Sequence, residues 1–341
     1  MSTVEHPSLS VIVPVRDGEH FLPASLPALR ASDLPATRWE LIVVDDSSHD
    51  RSAEVAARYA DRLIRLTDGP RGAAFARNRG AEVARGDALL FVDADVCVHP
   101  DALRRVSETF ESEPDVSAVF GAYDFRPTAG GLVSQYRNLL HRFVHQRDAG
   151  EAVTFWAGCG AVRAAVFSAC GGFDEGRGTE ALEDIDLGYR MSALGHRILL
   201  RPEIQGQHMK HWTLRSMIVT DVVQRGIPWV RLLLRRKVRP AATLNIRVSE
   251  QVCTVLVVAG CLALIGWLWS GEITWLVAAA AAMATVLVIN GPLLAWFARQ
   301  RGWGFALGAM PLRLLYYALN AVSVSVAVVP FIFGRQQLRS R

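Results

Sequence analysis

Lysine is almost missing from this chain of 341 residues: Lys210 and Lys237 stand alone among the arginines. The formal net charge of +4 is therefore an arginine charge. The basic residues gather between Arg215 and Arg247, around Arg235-Arg236-Lys237, just before the chain turns strongly apolar. A polybasic stretch in that position suits anionic lipid headgroups better than nucleic acid, and no nucleic-acid partner is expected. Cysteine is scarce as well. Cys97, Cys159, Cys170, Cys253 and Cys261 form no C-x-x-C pair and no metal-ligand spacing, which leaves buried, reduced thiols as the expectation. There is no internal repeat and no low-complexity linker. Met1 to Ser8 is polar, without a signal-peptide pattern, so the first domain is expected to stay on the cytoplasmic side.

What is present divides the chain in two. Mean hydropathy is +0.20, but the apolar residues concentrate after Arg247. Before that point the pattern is α/β. Short apolar runs at Leu9 to Val15, Glu40 to Val44, Leu63 to Leu66 and Ala88 to Val92 read as strands. Between them Phe21 to Arg30, Ser52 to Tyr59 and Gly72 to Arg85 read as helices, with further helices at Ala102 to Glu111, Leu132 to His145 and Leu182 to Leu194. Alternation of this kind indicates βαβ units and a mostly parallel sheet. Ligands of such sheets bind beyond the carboxyl ends of the strands, and Asp17, Asp46 and Asp95 all follow strands.

Phe91-Val92-Asp93-Ala94-Asp95 is the most telling segment. A buried strand that ends in two acids one residue apart places both on one face if strand parity continues. Two carboxylates so placed repel and raise a pKa. Mg²⁺ or Mn²⁺ relieves the conflict, since such an ion takes one or two carboxylates and shares the rest of its shell with phosphates. The competing reading is a turn with two solvated acids.

After Arg247, Val252 to Trp269 and Ile273 to Ile289 each approach the ~20 apolar residues that cross a bilayer. A third stretch, Phe305 to Phe333, is longer and carries Pro311 and Arg313. Trp267, Trp269, Trp275, Trp296, Trp303, Tyr316 and Tyr317 fall near the ends, as an aromatic belt requires. Three crossings put the tail Arg335-Gln336-Gln337-Leu338-Arg339 outside, against the positive-inside tendency, so two to three spans stay open. His211 to Val238 mixes Trp212, Met217, Val222, Trp229 and Leu233 with arginines at helical spacing, as in an interface helix; an ordinary surface helix is the alternative.

Five motifs occur in order: Val11-Ile12-Val13-Pro14-Val15-Arg16-Asp17-Gly18-Glu19, Val43-Val44-Asp45-Asp46-Ser47-Ser48, Ala76-Arg77-Asn78-Arg79-Gly80, Phe91-Val92-Asp93-Ala94-Asp95 and Leu182-Glu183-Asp184-Ile185-Asp186-Leu187. Together they resemble the membrane-anchored bacterial family 2 glycosyltransferases of GT-A fold. The resemblance implies a Rossmann-like GT-A catalytic domain at 1–210, an amphipathic region at 211–250, transmembrane helices at 251–334 and a basic tail at 335–341. It implies that Pro14, Arg16, Asp17 and Glu19 line the base and ribose and that Asp46 accepts from a uracil N–H. Family members usually carry Asn where this chain has Asp17. Capping of the Asp-Asp-Ser-Ser turn is the other reading of Asp46, and Asp45 is the purer cap.

By the same resemblance Arg77 faces base or phosphate, Asp93 faces ribose and donor sugar, and Asp95 binds Mg²⁺ or Mn²⁺ with His208. A surface role is the alternative for His208 and Arg77. Glu183 and Asp184 form the catalytic pair, with Asp184 as the base that removes the acceptor proton. Dipole-driven placement at a helix start is the alternative for both acids. Gly158 and Gly160 admit the acceptor to backbone or form a tight turn, and Trp212 is placed with the acceptor. The expected activity is inverting, metal-dependent transfer from a nucleotide sugar, UDP-linked by preference, to a membrane lipid or lipid-linked acceptor. Its place is the cytoplasmic face of the inner cell membrane, in a multi-pass protein. A polyprenyl-phosphate glycosyltransferase, a polysaccharide synthase and an inactive membrane scaffold are the alternatives. Gln224-Arg225-Gly226-Ile227-Pro228-Trp229 lacks the Gln-x-x-Arg-Trp spacing of processive members, which disfavours a synthase. A nucleotidyltransferase wants a Gly- and Lys/Arg-rich loop after the first strand, which Pro14 to Glu19 does not supply.

Overall fold

The computed structural model describes residues 7–177, 182–236 and 247–339. Lys237 and Val238 of the expected interface helix, and the last two residues of the tail, lie outside that range. The chain forms two compact units: Met1–Ala129 with Asn138–His211, and Gly130–Arg137 with Trp212–Arg341.

The first unit is built on one sheet. Its strands are β1 (Leu9–Val15), β2 (Trp39–Asp46), β3 (Arg62–Leu66), β4 (Ala88–Val92), β5 (Val96–Val98), β6 (Val116–Tyr123), β7 (Gly150–Ala152), β8 (Cys159–Arg163) and β9 (Arg197–His208). The order is β3-β2-β1-β4-β8-β6-β9-β5, with β7 also on β9. β1 to β4 are parallel, as their βαβ spacing requires. β1, β2 and β4 are buried on both faces, so their runs are near-continuously apolar rather than alternating, while β3 at the sheet edge is partly exposed. One face packs on Leu22, Leu26 and Leu29 and on Leu103 and Val106. The other takes the helix Ala73–Val83, where a Cβ on Gly80 would lie 2.5 Å from an Ile12 methyl. Only glycine permits that approach. Pro14 lies one residue from the end of β1, past the last β1–β4 pair at Ile12 and Phe91.

Past β4 the sheet changes character. β8 runs antiparallel to both β4 and β6, β9 returns parallel to β6, and β5 closes antiparallel on β9. None of these pairings was foreseen from local pattern.

The second unit is helical. A capping box at Thr213 and Ser216 starts the helix Leu214–Val219, which runs through a wide π-helical turn, Thr220–Gly226, into Ile227–Arg236. Its buried face is Met217, Asp221, Pro228 and Leu232, one residue before the apolar stripe expected at Val222, Trp229 and Leu233. Asp221 is accommodated there by an ion pair with Arg137 at 2.6 Å. Val248–Ser270 and Trp303–Val329 are long and apolar enough to cross a membrane, while Ile273–Ile289 and Gly291–Arg301 form a pair bent by 58°. The break therefore falls at Asn290 and not at Pro311 or Arg313, which lie within the continuous helix Trp303–Arg339. Arg313 is tolerated because it donates to Glu250 at 2.6 and 2.7 Å and to Asn290 at 2.9 Å. Tyr317 donates to the same Asn290 oxygen and is buried, so it is not a belt residue as expected. Trp269 is 93% exposed beside the Gly271 turn, where a belt residue belongs.

Candidate active site

β4 ends at Val92, and Asp93-Ala94-Asp95 is a tight turn closed by the Val96 N–H on the Asp93 carbonyl. Strand parity therefore does not govern the two acids, and they take different partners. The chain reverses into β5, whose register sets Val96 opposite His208, and the Met209 N–H donates to the Asp95 carbonyl. That register brings Asp95 Oδ2 to 3.4 Å from His208 Nε2.

His208 is buried and held on two sides. Its ring stacks on Tyr123 with centroids 4.2 Å apart and planes 9° from parallel. Its Nδ1 lies 2.5 Å from Asn138 Oδ1, which can only accept. Nδ1 therefore carries the hydrogen and Nε2 turns a lone pair toward a carboxylate oxygen. Two such acceptors face to face suit a cation between them. Among the described residues no group of three His, Cys, Asp or Glu side chains surrounds a common point. Asp95 and His208 would supply two ligands to an ion whose shell phosphate and water complete.

Asp93 is turned to Arg77. That arginine, 5% exposed on the helix Ala73–Val83, donates to Asp93 and to Glu183 at 2.6 Å each. Burial alone would weaken its charge, but Asp93, Glu183 and Asp184 more than restore it. The expectation that Arg77 faces base or phosphate meets a different arrangement: its guanidinium is shared between two carboxylates 90 residues apart in the chain (Asp93 and Glu183). Glu183 is correspondingly committed and buried. Asp184, next on the first turn of the helix Glu183–Ala193, accepts from the Ala157 N–H at 3.1 Å and from the Ile185 N–H at 2.7 Å. The Gly158 carbonyl accepts from the Asp93 N–H at 3.2 Å. The Trp156–Gly158 segment thus joins Asp93 to Asp184. A Cβ on Gly158 would fall 2.4 Å from the Trp156 ring, and one on Gly160 2.2 Å from the Trp156 carbonyl. Gly158 lies in the turn that leads into β8 and Gly160 within β8, and neither position has room for a side chain. Burial pushes the Cys159 thiol between them up to about 12, so it stays protonated.

The loops after β1 and β2 brace each other. Asp17 adopts φ +48°, a conformation that Asp shares with Asn; its carboxylate accepts from the His49 N–H at 2.8 Å, and its own N–H donates to Ser48 Oγ at 3.0 Å. Glu19 donates its N–H to Asp50 and accepts from the Arg51 N–H. Arg16 is exposed. Asp46 is buried, and its carboxylate accepts from the Arg71 N–H at 2.9 Å and the Gly72 N–H at 2.7 Å. It thereby ties the end of β2 to the segment that enters the helix Ala73–Val83. Asp45 caps the Asp-Asp-Ser-Ser turn through the Ser48 N–H. Trp212 belongs to the second unit, buried, with Arg137 over its ring. Asn138 and Tyr123 were missed, since no local pattern marks side chains that meet His208 only through the fold.

Comparison with known proteins places this geometry. Residues 10–171 match the model described as "Glycosyl transferase family 2". The chain is similar to glycosyltransferase AglE of Haloferax volcanii, 32% identical over 133 residues, 38% of this chain and 43% of that protein. It is similar to validoxylamine A glucosyltransferase of Streptomyces hygroscopicus subsp. limoneus, 27% identical over 263 residues, 67% of this chain and 58% of that protein. These alignments span about half the length of the relatives. In fold, the chain is similar to mannosyltransferase PcManGT from Pyrobaculum calidifontis, solved with GDP-Man and Mn²⁺, at TM-score 0.56 and 20% identity over 94% of this chain and 87% of that one. It also resembles S. aureus TarS 1-349, solved with UDP-GlcNAc, at TM-score 0.52 and 17% identity over 96% and 92% of the two chains. With its sheet and its motif order, the matched stretch 10–171 is a glycosyl transferase family 2 domain.

Proposed function

We propose that this chain is a metal-dependent, inverting glycosyltransferase. It moves a sugar from a nucleotide-sugar donor, UDP-linked by preference, to a lipid or lipid-linked acceptor at the cytoplasmic face of the cell membrane. The observation that carries the reading is the buried bridge Asp93–Arg77–Glu183. It joins the turn that follows β4 to the helix that presents Asp184. Donor-side and acceptor-side acids are thereby held in one ionic unit.

Asp95 and His208 are the residues that hold Mg²⁺ or Mn²⁺, and a bound ion of this kind neutralises a diphosphate as negative charge builds on the leaving group. PcManGT and GalNAc-T7, both of this fold, were solved with nucleotide or nucleotide sugar and Mn²⁺. Asp93 faces ribose and donor sugar. Asp184 takes the proton from the acceptor hydroxyl as that oxygen attacks the sugar on the face opposite the diphosphate. Glu183, ion-paired to a buried arginine, keeps the first helical turn in place and leaves the base role to its neighbour. The β1 and β2 loops, with Pro14, Arg16, Asp17, Glu19 and the segment tied by Asp46, receive the nucleotide. Gly158 and Gly160 shape the wall between Asp93 and Asp184.

Chain order favours the lipid acceptor. The basic amphipathic helix from Leu214 to Arg236 follows the first unit directly, and two membrane-length helices come after it. Radiolabelled donor incubated with native membranes is expected to move label into an organic-extractable product. Stability of that product to mild acid indicates a glycoside, and lability indicates a sugar phosphate. Label confined to soluble saccharide or protein contradicts the lipid acceptor.

A further inference from the structure

We propose that Asn138 is a positioning residue for the metal site: its side-chain carbonyl fixes the His208 imidazole as the Nδ1–H tautomer, so that Nε2 offers its lone pair beside Asp95. The proposal rests on the reading above that Asp95 and His208 hold the ion.

The two residues are 70 positions apart and both buried, at 2% and 5% exposure, with Nδ1 and Oδ1 2.5 Å apart. A carbonyl oxygen has no hydrogen to give, so the hydrogen of the contact is on Nδ1. Neutral imidazole carries one hydrogen, and Nε2 is left unprotonated 3.4 Å from Asp95 Oδ2. Ring rotation is blocked as well. Tyr123 lies flat on His208 and is backed at 4.3 Å by His141, one turn along the same helix from Asn138. Asparagine is a poor residue for a helix interior, and Asn138 lies near the middle of Leu132–Arg147. Its position there is explained by what its amide does for His208. Metal-bound histidines generally donate the second ring N–H to such an acceptor, and its loss costs about 10- to 100-fold in metal affinity.

The test measures Mn²⁺ binding to the purified full-length protein with UDP present, reading free Mn²⁺ by electron paramagnetic resonance, so that no turnover is needed. His208→Ala is expected to weaken binding. Asn138→Ala is expected to weaken it about 10- to 100-fold, and Asn138→Ala combined with His208→Ala to bind no worse than His208→Ala alone. Asn138→Asp keeps an acceptor oxygen for Nδ1 while it exchanges the amide donor for a negative charge, and is expected to bind Mn²⁺ more tightly than Asn138→Ala. UDP affinity in chelator is expected to be unchanged in each variant, which separates a lost tautomer from a lost fold. Wild-type Mn²⁺ affinity in His208→Ala overturns the metal-ligand reading itself. Weakened binding in His208→Ala with wild-type binding in Asn138→Ala overturns the role of Asn138 alone. If Asn138→Ala does not fold, Asn138→Asp decides: a loss as large as that of His208→Ala contradicts the acceptor role.

Discussion

The two halves of the sheet make an instructive contrast. From β3 through β2 and β1 to β4 the strands are parallel, and each is joined to the next by a helix packed close by. From β8 through β6 and β9 to β5 the directions are mixed, and neighbours come from far apart in the chain. The first half holds Asp17, Glu19 and Asp46 through bonds between loops of neighbouring βαβ units. The second brings Asp95 to His208, and the buried bridge through Arg77 then ties the halves together. The loops of the parallel half are thus braced by adjacent units, whereas the meeting of Asp95 with His208 and of Arg77 with Glu183 needs the long-range register to be correct.

This contrast can be stressed at several points. Asp184→Asn, on the long-range side, is expected to cut turnover by about 10²- to 10⁴-fold, the range for a positioned base, with donor affinity nearly unchanged. A collapse of donor binding instead would make Asp184 a donor-site residue. Arg77→Met removes the cation between the halves and leaves two carboxylates unpaired. It is expected to cost on the order of 3 kcal/mol in denaturant unfolding. An unchanged unfolding midpoint would mean that the halves do not depend on the bridge.

His145 gives a pH-dependent test of the mixed half. It is buried, donates from Nδ1 to the Gly121 carbonyl, and packs on His141 and Trp156, with Asp148 and Arg142 nearby. Burial pushes its pKa down to about 4, against the small opposing effect of the Gly121 bond. In the unfolded chain the ring titrates near its ordinary value. The unfolded state therefore binds the proton first as pH falls, and stability is lost between about pH 6.5 and 4, amounting to about 3 kcal/mol. Replacing His145 with Gln should flatten that part of the profile. Equal slopes in the two proteins would show that the ring is not buried neutral. In the parallel half, Asp46→Asn should cost only about 1 kcal/mol, as for a weakened hydrogen bond, and leave turnover within a small factor. Loss of donor binding would show that Asp46 contacts the nucleotide directly.

What the sequence disclosed follows the same division. β1 to β4 and the helices between them were legible because apolar runs and periodicity are local signals, and Ala88–Val92 was read to the residue. Asp93 and Asp95 were recognised as a pair, yet the reason offered was strand parity. The fold uses a turn instead, and each acid meets a different cation or ring. Glu183 and Arg77 were each singled out as candidate site residues, but nothing in their own segments announces that they pair with each other. Gly158 and Gly160 were read as access or turn residues; their close approach to Trp156 and Phe155 is displayed only by the folded chain. In the apolar region Arg313 looked like an interruption. Its partners Glu250 and Asn290 lie on other helices, so its accommodation was invisible from hydropathy.

The most direct test of the central claim is release of nucleoside diphosphate by the purified full-length protein supplied with a nucleotide sugar and extracted membrane lipid. The account predicts release that stops in chelator, returns with Mg²⁺ or Mn²⁺, and is nearly abolished by Asp95→Asn. Equal release in chelator, or full activity in Asp95→Asn, would contradict it.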